Sequence, residues 1–303
     1  MSYPADYVGR FAPTPSGSLH LGSLVAALAS YLDAKSAQGH WLLRIEDLDK
    51  PREVPGATTS ILTTLEHYGF EWDGPVIYQS QRLKAYQEAA EYLQQQGLAY
   101  FCRCSRKQLE AYPGPYPGFC RDRQYPPQQA ALRLRVPEQS FSVQDRVQGA
   151  FCQHLGREVG DFIIQRRDQV FAYQLAVVVD DAWQGITQIV RGADLLDSTP
   201  RQLYLQQQLK LPQPQYLHVP LLMQADGHKL SKSHQAPPIE PQAAAQLLVT
   251  ALSLLGQDPP KALEQESPHR ILAWGIQHWA SHQIPATPQL LFNPLSADTT
   301  FKR

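Results

Sequence analysis

The sequence predicts an α/β protein: an open parallel sheet with helices on both faces, one insert, and a small helical region at the end. Three observations predict it. Strand-like and helix-like stretches alternate before residue 100 and again after residue 170. The stretch between them changes character, with Cys, Tyr, Pro and Gly in bunches ("YPGPYPGFC", "QYPPQQ"). From Pro241 onward the apolar spacing is helical. Sheets of this kind bind ligands at the carboxyl ends of their strands, where the chain order reverses.

The elements follow in order. "RFAPTPSGSLHLGS" starts as a buried strand and breaks at prolines and a glycine. Leu21, Leu24, Val25, Leu28 and Leu32 then mark one helix face, and Gly39 suits its stop. In "HWLLRIEDLD", Trp41, Leu43 and Ile45 point one way and Leu42, Arg44 and Glu46 the other, a strand whose far end carries carboxylates. Helices are expected at 59–68 and 82–96. Short strands follow in the insert ("AALRLRV", "DFIIQR"). "FAYQLAVVVDDAWQGITQIVRG" reads as two strands, "TPRQLYLQQQLKL" as a helix, and "YLHVPLLM" as one strand before the loop "QADGHKLSKSHQAPP". In the tail, Leu247, Leu248, Ala251, Leu252 and Leu255 share a helix face, "FNPLSADTTFKR" has no clear period, and no internal repeat is visible. The division expected is 1–83 with 172–240 for the sheet domain, 84–171 for the insert and 241–303 for the helical region.

With 303 residues, 43% apolar and 18% charged, the chain suits one large domain or two small ones. A net charge of -1 excludes a wholly basic surface but not a local basic face. The stretch 101–135, where seven Lys/Arg meet two acids, Glu110 and Asp122, reads either as such a face or as an ordinary solvated surface. No apolar run is long enough for a membrane span, and "MSYPADYVGR" does not open like a secretory leader, so a cytoplasmic protein with no membrane partner is expected. Four cysteines, three of them clustered, then read as metal ligands rather than disulfides.

Two stretches carry chemistry. In "PTPSGSLHLGS", Gly17 and Gly22 let backbone approach a ligand, and the helix that follows offers unpaired N–H groups and the positive end of its dipole. His20 adds a ring donor at the same point; alone it could equally be a satisfied surface histidine. In 228–233, Lys229 and Lys232 flank small hydroxyl residues in a loop that can fold over a triphosphate. No serine lies in a GxSxG turn, which speaks against a serine nucleophile.

Together, His20-Leu21-Gly22-Ser23 and Lys229-Leu230-Ser231-Lys232-Ser233 resemble the two signatures of class I aminoacyl-tRNA synthetases. "RFAPTPSGSLHLGS", "LLRIEDLD", "YQLAVVVDD" and "QIVRGADLLDSTPRQ" resemble the glutamate-specific branch, in order, over roughly residues 8 to 235. The family pattern has Met where Leu230 stands, a swap of similar volume. The resemblance implies a Rossmann-like catalytic domain that forms glutamyl-adenylate from ATP and L-glutamate, with Mg²⁺ accompanying ATP. It implies ATP contacts from His20, Gly22, Lys229, Ser231 and Lys232, the first and the two lysines acting in catalysis. Glutamate would be held by Phe11, Ala12, Pro13 and Thr14, by Arg10 and Arg191 pairing with its carboxylates, by Glu46 on its ammonium, and by Tyr173. From the residues alone, Arg10 could cap a strand, Glu46 could pair with Arg44 or Arg52, and Tyr173 could be core.

Three thiols, Cys102, Cys104 and Cys120, make a tetrahedral zinc set lacking one ligand; Cys152 could be the fourth, or the three could be buried thiols. Relatives of glutamyl-tRNA synthetase include a group with a Cys-x-Cys…Tyr-x-x-x-Cys zinc site. The resemblance to it implies one structural Zn²⁺ held by Cys102, Cys104, Tyr116 and Cys120, with Cys152 an ordinary small buried residue. Only about 70 residues follow Ser233, too few for an anticodon-binding domain. With the Cys/Tyr pattern this resembles the glutamyl-queuosine tRNA(Asp) synthetase family. That implies tRNA-independent activation of glutamate, then its transfer to the queuosine cyclopentenediol of tRNA(Asp). A compact glutamyl-tRNA synthetase charging a 3′ end, and a non-catalytic zinc-stabilised RNA-binding protein, are the alternatives.

Overall fold

The computed structural model describes residues 7–112, 114–224, 229–230 and 237–292. Strand β1 (Val8–Phe11) leads through a proline turn into helix α1 (Leu21–Ser36), which returns the chain to β2 (His40–Ile45). β1 and β2 are parallel from Val8↔His40 to Phe11↔Leu43, the pairing that a crossover helix imposes. Helix α2 (Ala57–His67) precedes β3 (Ile77–Tyr78), which pairs in parallel with Arg44 and Ile45, and α3 (Leu83–Gln95) follows.

Next comes a smaller antiparallel sheet. It is built from β4 (Ala99–Cys102), β5 (Ala131–Leu134) and, beyond the hairpin described below, β8 (Phe162–Gln165). A one-turn helix, α4 (Arg106–Glu110), is closed by a capping box from Ser105 and Gln108. Between β5 and β8 lies the hairpin β6 (Ser140–Asp145) and β7 (Gly149–His154). Its strands were not among those expected, although Ser140, Phe141, Ser142 and Val143 of β6 alternate polar and apolar. Its Val143 packs with Val8, Leu42, Ile189 and Tyr216, so the hairpin backs the main sheet.

The main sheet resumes after helix α5 (Tyr173–Trp183) with β9 (Gln188–Gly192), α6 (Thr199–Leu209) and β10 (Gln215–Val219). β9 and β10 are parallel, and Thr187 stitches β9 beside β1: its N–H donates to Val8 O at 2.9 Å and its hydroxyl accepts the Val8 N–H at 2.9 Å. The order is therefore β10-β9-β1-β2-β3, with the chain order reversing between β9 and β1. That is the switch point at which such sheets receive ligands.

Two expectations are corrected. The stretch "YQLAVVVDD" is helix α5, not a strand. Its valines suggest a strand, but Leu175, Ala176, Val177 and Val178 are all buried among α3, α6 and the small sheet, so a helix apolar around most of its circumference wins. "YLHVPLLM" is two strands. Pro220 cannot donate to a ladder, so β10 ends at Val219 and β11 (Leu221–Met223) pairs instead with β12 (Gln289–Leu291).

Helix α1 is buried along most of its length, with Leu24, Leu28 and Leu32 wholly inaccessible. The sheet covers one side; α7 (Ala244–Leu254) and α8 (Pro268–His278) cover the other with Leu248, Leu252, Ile271 and Leu272. This fixes the N-terminal end of α1 at the switch point. Among the described residues no helix is long and apolar enough to cross a membrane.

Candidate active site

His20 is the N-cap of α1. Its backbone is extended and its Nδ1 accepts the Ser23 N–H at 3.2 Å, so the neutral ring carries its proton on Nε2. Gly22 lies directly against it. A Cβ built on Gly22 would stand 3.1 Å from His20 Cε1 and Nδ1, and 3.4 Å from the carbonyl oxygen of Leu230. The described part of the late loop therefore comes onto the first turn of α1, although some 200 residues separate them in sequence. Leu230 is anchored in the core, with its N–H donating to Leu222 O at 2.8 Å. Lys229 pairs with Asp194 in the turn after β9. Ser231 and Lys232 lie outside the described residues, as do His228 and Ser233.

The strand ends supply the second group. The Glu46 N–H donates to Pro13 O at 3.0 Å and so ties the end of β2 to the turn after β1. Phe11 stacks near Trp41 at 6.3 Å between centroids, and Ala12 is half-buried beside it. Thr14, Glu46 and Tyr173 line one cleft of about 200 Å³ together with Arg52, Gln79 and Arg166. Arg10, expected to meet a substrate carboxylate, is buried against a protein one: its Nε and Nη2 donate to Asp181 at 3.0 and 3.3 Å. Arg44 shares that carboxylate at 2.8 Å, donates to Gln184 Oε1 at 2.6 Å, and stands 3.5 Å from Glu46 Oε1. Burial works against the Asp181 carboxylate, but Arg10 and Arg44 overcome it and hold its pKa below the usual range. Burial pushes Glu46 up, opposed by Arg44 and Arg10.

Arg191, at the end of β9, differs from Arg10. It is buried, and among the described residues no carboxylate pairs with it. Its Nε donates to His218 Nε2 at 3.0 Å, its Nη2 to Thr199 Oγ1 at 2.9 Å and Leu195 O at 3.3 Å, and its Nη1 to the Tyr173 hydroxyl at 3.3 Å. Burial raises the Tyr173 pKa while Arg191 pulls it down, so the hydroxyl stays protonated. Among the described residues the direct hydrogen-bond partners of Arg191 are all uncharged, an arrangement that suits a bound anion.

The thiols expected to bind metal do converge. The Sγ atoms of Cys102, Cys104 and Cys120 lie within 4.8 Å of one another, and the Tyr116 hydroxyl is 3.3 Å from Cys102 Sγ and 3.4 Å from Cys104 Sγ. Gly160, at φ +69, lets the chain pass Tyr116: a Cβ there would come within 2.6 Å of the Tyr116 nitrogen. Cys152 is on β7 and exposed, neither the fourth ligand nor the buried residue expected. Asp181, Asp145 and His218 were missed. For Asp181 and His218 a signal was present, adjacent acids at the end of an apolar stretch and a histidine inside the strand "QYLHV"; Asp145 shows none.

The parallel sheet, the capped helix at its switch point and the late loop returning to that helix define a class I tRNA synthetase catalytic domain. The family model for the catalytic domain of class I tRNA synthetases (E and Q) matches residues 7–115 and 119–259. Two solved structures share the fold at 23% identity. The glutamate tRNA ligase of Elizabethkingia meningosepticum, solved with its amino acid, superposes with a TM-score of 0.81 over 95% of this chain and 67% of that one. The glutamate-tRNA synthetase of Elizabethkingia anophelis gives 0.79 over 95% and 68%. Much nearer in sequence are proteins named glutamyl-Q tRNA(Asp) synthetase. That of Pseudomonas aeruginosa PAO1 is 65% identical over 281 residues, 93% of this chain and 96% of that protein. That of Ectopseudomonas mendocina is 63% identical over 284 residues, 94% and 97%. The chain belongs to the glutamyl-Q tRNA(Asp) synthetase family of class I tRNA synthetases.

Proposed function

We propose that the protein activates L-glutamate with ATP, without needing tRNA, and then transfers it to the queuosine cyclopentenediol at the first anticodon position of tRNA(Asp). The observation that carries the reading is the meeting of the two signatures, with the Leu230 carbonyl on Gly22 beside the His20 ring. A glutamate carboxylate oxygen attacks the α-phosphorus of ATP and pyrophosphate leaves. A hydroxyl of the diol then attacks the activated carbonyl, forming the ester and releasing AMP. The protein positions these groups and stabilises developing charge. His20, Lys229, Ser231 and Lys232 act on the phosphates with the N–H groups of α1, and Gly22 admits them. The Mg²⁺ that accompanies ATP supplies further neutralisation of phosphate charge.

Glutamate sits at the strand ends. Arg191 and Tyr173 receive a carboxylate, supported by the absence of an acidic partner for Arg191 among the described residues. Glu46 takes the ammonium, while Phe11, Ala12, Pro13 and Thr14 shape the wall. Arg10, whose Nε and Nη2 are held by the Asp181 that Arg44 shares, takes the second carboxylate. The Cys102, Cys104, Tyr116 and Cys120 atoms fit one structural Zn²⁺: thiolates around tetrahedral zinc stand about 3.8 Å apart, within the spacing of these sulfurs. The domain division 1–83 with 172–240, 84–171 and 241–303 places this zinc site in the insert, whose basic residues contact tRNA phosphates.

Transfer of labelled glutamate to queuosine-containing tRNA(Asp), but not to the same tRNA with unmodified guanosine, is the test. Equal labelling of both, or label at the 3′ end of tRNA(Glu), refutes the reading.

A further inference from the structure

Arg191 is held from behind by His218, which Asp145 holds in turn. Asp145, at the end of β6, and His218, on β10, are both fully buried and joined at 2.6 Å between Oδ2 and Nδ1. The other Asp145 oxygen is committed to backbone. It accepts N–H groups from Val147 at 3.0 Å, Gln148 at 2.8 Å and His218 at 3.2 Å. The far side of the imidazole, Nε2, accepts the Arg191 Nε–H at 3.0 Å. An acceptor at Nε2 requires the proton at Nδ1, and the Asp145 carboxylate is what fixes it there. With Nε held by His218 and Nη2 by Thr199 and Leu195, the remaining nitrogen, Nη1, donates to the hydroxyl of Tyr173, a residue that lines the cleft.

We infer that Asp145 and His218 are positioning residues that set the His218 tautomer and thereby aim Arg191 at the carboxylate of the amino-acid substrate. The inference rests on the glutamate-activating reading above. It also assigns a role to the β6–β7 hairpin, which lies in the stretch expected to be an insert: one of its carboxylates organises the amino-acid site. A purely structural dyad would affect folding, and ATP and glutamate alike. A positioning dyad affects glutamate alone.

Asp145→Asn separates the two. Its oxygen must stay on the three backbone N–H groups, so its amide nitrogen faces His218 Nδ1. The imidazole then moves its proton to Nε2, where it meets the Arg191 Nε–H donor to donor. The assay is glutamate-dependent ATP–pyrophosphate exchange with the full chain, alongside a long-range ¹H–¹⁵N spectrum of the histidines. The expected result is a rise in KM for glutamate of about 10- to 100-fold, as when a hydrogen bond to a charged group is lost. KM for ATP should stay within about twofold, and the His218 proton should move from Nδ1 to Nε2. Should Asp145→Asn not fold, His218→Leu and His218→Gln decide. The leucine removes the acceptor and raises KM for glutamate by a similar factor, whereas the glutamine, which keeps an acceptor for Arg191, recovers most of the loss. An unchanged KM for glutamate, equal rises for glutamate and ATP, or a glutamine variant no better than the leucine one overturns the inference. Absence of exchange in the wild type overturns the glutamate-activating reading itself, and with it this inference, before any variant is needed.

Discussion

Gly22→Ala separates activity from stability. The substitution places a methyl 3.1 Å from two atoms of the His20 ring and 3.4 Å from the Leu230 carbonyl. Ordinary carbon contacts stand at about 3.5–4.0 Å, so the ring must turn or the late loop must lift by a few tenths of an ångström or more. Gly22 is in the first turn of α1 with an ordinary helical backbone, where alanine favours the helix by up to about 1 kcal/mol. Loosening the His20 cap on the Ser23 N–H costs about 1 kcal/mol. The two nearly cancel, so the melting temperature should move by only a few degrees for a chain of this size. Activity should not be spared. Misplacing groups around the triphosphate by about 1 Å is expected to lower kcat/KM in pyrophosphate exchange about 100-fold. Exchange kinetics and thermal unfolding on the same preparation check both halves. Exchange within twofold of wild type, with the fold intact, would show that Gly22 is not where the late loop and His20 meet the nucleotide.

Three further outcomes are expected. Lys232→Ala should lower glutamate-dependent exchange by about 100-fold or more while leaving circular dichroism and melting unchanged, since it removes a charge acting on the phosphates. Asp181→Asn removes the carboxylate that pairs with buried Arg10, and one of those around Arg44, and should cost about 3–5 kcal/mol at pH 7. Because the folded-state pKa of Asp181 is depressed, its stabilisation is present above the ordinary carboxylate pKa and disappears as pH falls through the depressed value. The gap between variant and wild type in urea unfolding should therefore close on acidification. Cys120→Ser should lower bound zinc well below one ion per chain by elemental analysis and make the melting temperature insensitive to chelator, whereas Cys152→Ser, on an exposed strand, should change neither.

The parts of the fold legible in the sequence are those where local pattern and burial agree. Helix α1 shows its face because sheet and tail helices cover it from fixed directions, and β2 alternates because Trp41, Leu43 and Ile45 meet α1 while Leu42 and Arg44 face away. Helix α5 was misread because burial on most sides erases helical periodicity and leaves valines that favour strands. The β6–β7 hairpin was overlooked although β6 alternates, because the alternation is short and the next inward position holds an aspartate, Asp145, whose partner is 73 residues away. At the site, the groups that contiguous motifs bring together were legible in position: His20 with Gly22 and the Leu230 carbonyl, and the Cys-x-Cys pair with Cys120. The Arg10–Asp181–Arg44 cluster and the Asp145–His218–Arg191 chain join residues from separate elements, and only the packed sheet brings them together.

The most direct test is a structure of the full chain with ATP and glutamate bound. The expected result is His20 and Lys232 on the phosphates of the same ATP at the first turn of α1, with the glutamate side chain reaching Arg191 and Tyr173. Finding the two phosphate-binding groups on separate sides of the molecule, or glutamate away from Arg191, would contradict it.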